Sequence, residues 1–328
     1  MSRAYFFPTL LITLLFVPLC LISCSAKLSN ESGSLDMPDI LDTSITHTSY
    51  KVSEREKVST ATPVVIAAHG YTATSYEWEE FLHYADGYIP ETETYPMSNT
   101  PYTPSQNLYV SVVLLGGHGR SLETFRNATS EDWAQPIVDE YNALVAKGFT
   151  NISLMGASTG GTLILEKLRQ GAFSLPPKHV IFIDSLVVPR NKMLHLVPYL
   201  SAIISDQKNE ESTDKEKPNW YLTNPKEAMI QLERLLKNIQ QHLASGISLP
   251  QSTQCHIYQS KKDPTVDPIS SYLLYKGISQ SNGQSPYFTP IDSSLHVFTR
   301  LQGRKDVTAQ DRTNQKIVFD SIINKITN

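Results

Sequence analysis

From about residue 60 onward, short runs rich in valine and isoleucine alternate with stretches whose apolar residues recur at helical spacing. Pro63 to His69 reads as a buried strand, followed by strands at Tyr109 to Leu115, Asn151 to Met155 and Val180 to Ile183. Between them lie helices over Thr74 to Ala85, Glu131 to Lys147 (stopped by Gly148) and Thr162 to Gln170. Thr74 and Glu77 have the spacing of a capping box, which places the start of the first helix. Strand and helix in regular alternation predict a mostly parallel sheet covered by helices on both faces.

The alternation breaks between about Val188 and Pro250. This stretch holds a charged section, Ser205 to Lys217, and one long helix, Pro225 to Leu243, with Asn224 placed to cap it and Gly246 to end it. An insertion there lies above the carboxyl ends of the strands, where ligands bind in open α/β sheets. The sheet resumes with Gln254 to Gln259 and Tyr287 to Pro290, and Gln310 to Ile326 closes the chain as a helix. Residues 86–106 carry Pro90, Pro96, Pro101 and Pro104 and read as a loop.

Composition narrows the class. A chain of 328 residues, 40% hydrophobic and 18% charged, can bury one large core or two modest ones. A net charge of −4 lacks the basic excess that a nucleic-acid binder needs. Of three cysteines, Cys20 and Cys24 sit in an N-terminal apolar segment, so Cys255 alone belongs to the globular part. That excludes a disulfide framework, and no Cys/His cluster has zinc spacing. Cys255 reads as a buried core residue.

The first two dozen residues have a character of their own. Arg3 precedes an apolar run from Tyr5 to Ile22, which ends in Ser23-Cys24-Ser25. This is the pattern of a secretory signal peptide. Leu21-Ile22-Ser23-Cys24 resembles a bacterial lipobox, which implies cleavage before Cys24 and a diacylglycerol on its thiol. The expectation is a signal peptide over 1–23, a lipidated Cys24, a polar tether over 24–60, and a domain held at a membrane of the bacterial cell envelope. An ordinary signal peptide and an uncleaved transmembrane anchor are the alternatives, and Pro8 and Pro18 weigh against the anchor.

The strongest chemical signal is Gly156-Ala157-Ser158-Thr159-Gly160-Gly161, set directly between a predicted strand and a predicted helix. That context is what a G-x-S-x-G nucleophile elbow requires. Glycines on both sides let strand and helix approach closely, Ser158 Oγ projects above the sheet, and the Thr159 N–H faces a developing oxyanion. Serine needs a base. Of nine histidines, His69 and His118 lie in glycine-rich loops upstream, and His179, His195, His242 and His256 lie at strand starts, in the insertion or in a strand. His296 follows the last strand and precedes the last helix, as the order serine, acid, histidine demands. For the acid, Asp263 follows the strand ending near Gln259, with Asp184 as the runner-up; Asp267 precedes Pro268 and is better placed to cap a helix, and Asp292 is too near His296 in sequence. The second oxyanion donor is the backbone N–H of Tyr71, in the turn His69-Gly70-Tyr71.

Taken together, His69 to Tyr71, Gly117 to Ser121, Gly156 to Gly161, Asp263 to Val266 and His296-Val297 resemble the monoacylglycerol lipase and bacterial carboxylesterase branch of the α/β-hydrolase superfamily. The match spans about residues 61–328. The resemblance implies an α/β-hydrolase fold with a cap (about 188–250) inserted after the sixth strand, esterase activity on short- to medium-chain or monoacyl esters, and no cofactor. The long loop at 86–106 and the charged section Lys208 to Lys217 depart from the pattern, and both bear on the acyl pocket. A serine peptidase of the same fold, and a surface lipoprotein that uses the scaffold for binding, are the other readings. A dehalogenase needs aspartate where Ser158 stands.

Overall fold

The computed structural model describes residues 47–89, 101–200, 202–208 and 213–328. The proposed signal peptide, Cys24, the tether up to residue 46 and the centre of the loop at 86–106 lie outside the described residues. Six strands form one sheet: β1 (Val64–Ala68), β2 (Tyr109–Val113), β3 (Ile152–Ala157), β4 (His179–Ile183), β5 (Gln254–Ser260) and β6 (Tyr287–Ile291). Their order is β6-β5-β4-β3-β1-β2, and every neighbouring pair is parallel. Tyr50 adds an isolated antiparallel bridge to Val112 beside β2.

The main helices are α1 (Glu79–Asp86), α2 (Leu122–Asn127), α3 (Ser130–Ala146), α4 (Thr159–Arg169), α5 (Val197–Leu200), α6 (Lys226–Ser245), α7 (Ile269–Gly277) and α8 (Ala309–Thr327). β1 is fully buried because helices cover both faces of the sheet. Its even-numbered residues Val64, Ile66 and Ala68 pack with Trp133, Ile137 and Leu163 of α3 and α4. Val65 and Ala67 face the opposite way and join Phe81, Phe319 and Ile322 of α1 and α8. The two cores are the two sides of one sheet, set by the period-two alternation of side chains. Cys255, fully buried, belongs to the first. No helix among the described residues is long and apolar enough to cross a membrane.

Within this sheet the stretch at 188–250, expected after a sixth strand, follows β4, and β5 comes next. Two local expectations are also corrected. The segment after Thr74 begins as a 3-10 turn, Ser75–Trp78, before α1, and Thr74 makes no side-chain cap bond. Glu77, expected to close a capping box, turns the other way and accepts the Gly70 N–H at 2.9 Å. Asn224 likewise does not cap α6, whose N-cap is Pro225. The first helical N–H, on Lys226, is taken instead by Asp206 Oδ1 at 3.1 Å, a carboxylate that also pairs with Arg126 at 2.5 Å. In both cases a tertiary partner wins over the local one. The short helix α2 escapes a reading by periodicity because it spans only six residues. Asp267, expected to cap α7, stands one residue before its N-cap, Pro268, yet its carboxylate still accepts the Ile269 N–H at 3.1 Å.

Candidate active site

Ser158 stands between β3 and α4 with φ 49° and ψ −122°, a backbone region costly for any residue but glycine. The turn can form because its glycines leave no side chains in the way. A Cβ on Gly156 would lie 2.4 Å from the Gly161 nitrogen, one on Gly160 2.3 Å from the Ala68 carbonyl oxygen, and one on Gly161 2.0 Å from Ser185 Oγ. The Ser158 N–H donates to the Ile183 carbonyl and its own carbonyl accepts from the Leu186 N–H, each at 3.0 Å. The bend is thus pinned to the end of β4. Thr159 opens α4, so its N–H has no acceptor within the helix.

His296 lies on the loop after β6, and its Nδ1 is 2.8 Å from Asp263 Oδ2. Asp263 is fully buried; its other oxygen accepts the N–H groups of Thr265 and Val266, both at 2.8 Å. Burial by itself lowers the His296 pKa, but the Asp263 charge and hydrogen bond, with Asp184 and Glu77 behind them, outweigh it and leave the value raised. Ser158 and His296 line one cavity of about 630 Å³. Its lining is mixed: Leu186, Met193, Leu194, Val197, Met229 and Leu232 are apolar, while Glu77, Glu216, Arg300 and Arg304 are polar or charged. The structure therefore brings Ser158, His296 and Asp263 to the site, along with Tyr71, which also lines the cavity.

Asp184, the runner-up acid, is close by. It directly follows β4, with φ 43°, and is fully buried. Its carboxylate accepts from Ser260 N (2.6 Å), Ser260 Oγ (3.0 Å), Gln259 Nε2 (3.1 Å) and Phe298 N (3.3 Å). Burial and the nearby Asp263 charge raise its pKa. Asp184, Asp263 and His296 offer ligand atoms within 4.8 Å of one another, the kind of group that can hold a metal. Four donors already point at Asp184 and three at Asp263, so the carboxylates are engaged in a hydrogen-bond network.

Sequence reasoning missed three supporting residues. His118 Nε2 lies 2.6 Å from the Tyr71 carbonyl oxygen and its Nδ1 3.0 Å from that of Gly116; burial pushes its pKa down to about 4. Arg304 donates to the carbonyls of His296 and, at 2.7 Å, Arg300. It braces a loop in which Val297, a β-branched residue, sits at φ 53°. Glu77 is buried beside the cavity. The Gly-His-Gly pattern was a signal for His118; for Arg304 and Glu77 no local pattern exists.

No protein-family model matches the chain. A carboxylesterase of Bacillus subtilis (strain 168) is 23% identical over 198 residues, covering 60% of this chain and 75% of that protein. Among solved structures, one from the metagenome-derived lipolytic enzymes LipS and LipT aligns with a TM-score of 0.62 at 17% identity, over 86% of this chain and 97% of that one. A soluble variant of monoglyceride lipase from Saccharomyces cerevisiae, in complex with a substrate analogue, aligns with a TM-score of 0.60 at 12% identity, over 85% and 91%. At such identities the structural likeness speaks for the fold, and the parallel six-stranded sheet agrees with it. The chain is an esterase- and lipase-like protein of the α/β-hydrolase fold.

Proposed function

We propose that the protein hydrolyses carboxylic esters of short- to medium-chain or monoacyl type through an acyl-enzyme on Ser158. His296 takes the serine proton as Oγ attacks the carbonyl carbon, then returns it to the leaving alkoxide. Asp263 holds the imidazole with its proton on Nδ1 and stabilises the imidazolium. The N–H groups of Tyr71 and Thr159 receive the oxyanion. His296 then takes a proton from water as the water oxygen attacks the acyl carbon, and passes it to Ser158 Oγ as the ester bond to the serine breaks and the acid leaves. The observation that carries this reading is the cavity shared by the strained Ser158 and by His296, whose Nδ1 is held by the buried Asp263. Its apolar lining residues suit an acyl chain, and its polar ones suit the alcohol.

A ladder of p-nitrophenyl esters tests it. Turnover by the purified protein should rise and then fall with acyl length, and Ser158→Ala should bring it to the uncatalysed rate with the fold intact. Equal rates for the two proteins would sink the enzyme reading and leave a binding scaffold. A p-nitroanilide series run beside the esters separates esterase from peptidase preference.

The lipobox-like segment supports the further proposal that Cys24 carries a lipid that tethers the domain to a membrane of the bacterial cell envelope. Mass spectrometry of the mature amino terminus should find a diacylglyceryl cysteine that is lost in Cys24→Ala. An unmodified, uncleaved leader contradicts it.

A further inference from the structure

The turn His69-Gly70-Tyr71 must hold one particular N–H steady beside Ser158, and its anchors can be traced group by group. The Gly70 carbonyl accepts from Ala73 N at 3.3 Å and lies 2.9 Å from His69 Nδ1. A peptide unit is planar, so holding that oxygen fixes the opposite direction for the Tyr71 N–H. The Tyr71 carbonyl is bound by His118 Nε2 at 2.6 Å. The remaining anchor is the Gly70 N–H, which donates to Glu77 Oε1 at 2.9 Å. Gly70 is closely approached: a Cβ placed on it would lie 3.3 Å from Ser158 Cβ and 3.4 Å from Glu77 Oε2.

A buried carboxylate next to a site that accumulates negative charge is an odd choice unless it does something a neutral group cannot. Burial raises the Glu77 pKa, while Arg300, His296 and Arg304 act against that rise. Arg300 is itself paired with Glu216 at 2.7 Å and stacked 4.3 Å from the centre of the Trp220 ring. The groups facing His296 are Asp263 from the loop after β5, Asp184 from the end of β4, and Glu77 from the turn before α1. From its own loop, Arg304 binds its carbonyl.

We infer that Glu77 is a positioning residue for the proposed reaction: it clamps the oxyanion turn through the Gly70 N–H, and its charge, lining the same cavity as His296, supports the imidazolium. The inference rests on the esterase reading for its catalytic consequence, while the clamp itself is a property of the turn.

Two variants separate the two effects. Glu77→Met fills the space but has no acceptor; Glu77→Gln keeps an acceptor and removes the charge. In Glu77→Met, kcat should fall by about 10- to 100-fold with KM within threefold, because a misplaced oxyanion donor is felt in the transition state alone. Glu77→Gln should lose less than Glu77→Met. The acid limb of its kcat/KM profile should move to lower pH by roughly half a unit, less than a contacting charge produces. Amide exchange at Gly70 gives a readout independent of turnover: slow in the wild type and Glu77→Gln, at least about tenfold faster in Glu77→Met. Equal exchange in all three proteins overturns the clamp, and an unmoved acid limb in Glu77→Gln overturns the charge effect. Wild-type protein without Ser158-dependent turnover would refute the esterase reading instead, with the exchange result still deciding the clamp.

Discussion

Replacing Asp263 by asparagine changes one atom of the proposed triad, and the hydrogen bonds around that atom dictate the outcome. Oδ1 accepts the N–H groups of Thr265 and Val266, both at 2.8 Å. An asparagine must keep an oxygen there, since turning its NH2 toward two donors would leave both buried N–H groups unpaired. The NH2 group therefore falls where Oδ2 lies now, 2.8 Å from His296 Nδ1. Facing a donor, Nδ1 must become an acceptor, and the neutral ring carries its proton on Nε2. That is the nitrogen meant to receive the Ser158 proton. The base is thus lost through a change of tautomer, in a fold that has hardly moved.

A loss of base function of this kind costs about 10³- to 10⁴-fold in kcat, or about 4–5.5 kcal/mol of barrier. The pH profile adds a second mark. Only neutral His296 can act as base, and the Asp263 charge raises its pKa, so wild-type activity should fall away below a limb that lies above the ordinary histidine value of 6.5. Without that charge, His296 binds its proton less tightly. The limb should move to lower pH in Asp263→Asn while the plateau drops. The assay is kcat/KM for a p-nitrophenyl ester from pH 5 to 9, with thermal melting to confirm the fold. A loss under tenfold, or a limb that stays in place, would refute the assignment and move the acid to Asp184, whose carboxylate lies within the same cluster.

Two further predictions probe the scaffold. Gly160→Ala puts a methyl group 2.3 Å from the Ala68 carbonyl oxygen and 2.6 Å from that of His69, both backbone atoms, so the start of α4 must shift. Urea unfolding should show a loss of about 1–3 kcal/mol, with turnover reduced more steeply than stability; a variant with wild-type turnover would contradict the close approach. Arg304→Met frees the carbonyls of His296 and Arg300 and should lower kcat more than tenfold, since Val297 at φ 53° then has a route to relax. Unchanged kcat in a folded protein would show that the strained loop holds itself.

What could be read from the sequence was whatever is written in local order. The elbow was legible because Gly156, Gly160 and Gly161 are needed at fixed steps from Ser158: a Cβ at any of the three would come within 2.5 Å of a neighbouring atom. His296 and Asp263 followed from their places after successive strands, and they meet at 2.8 Å. The strands were legible because β1 is apolar on both faces and buried on both. Reading failed where a residue had two competing partners, one near and one far. Glu77 is three residues from Thr74, and Asn224 directly precedes the helix at Pro225, so each suggested a cap. The tertiary fold brings the Gly70 N–H to Glu77, which therefore makes no capping box, and brings the Asp206 carboxylate to the Lys226 N–H in place of Asn224. Arg304 clamps a carbonyl eight residues back, which no periodicity announces.

The central claim is that Ser158 forms a covalent acyl intermediate. Mixing the protein with a slowly deacylated ester, quenching in acid and mapping peptides by mass spectrometry tests it directly. The account predicts one acyl group per chain, on the peptide containing Ser158, accumulating no faster than the first burst of alcohol and absent from Ser158→Ala. Turnover with no adduct, or an adduct on another side chain that persists in Ser158→Ala, would contradict it.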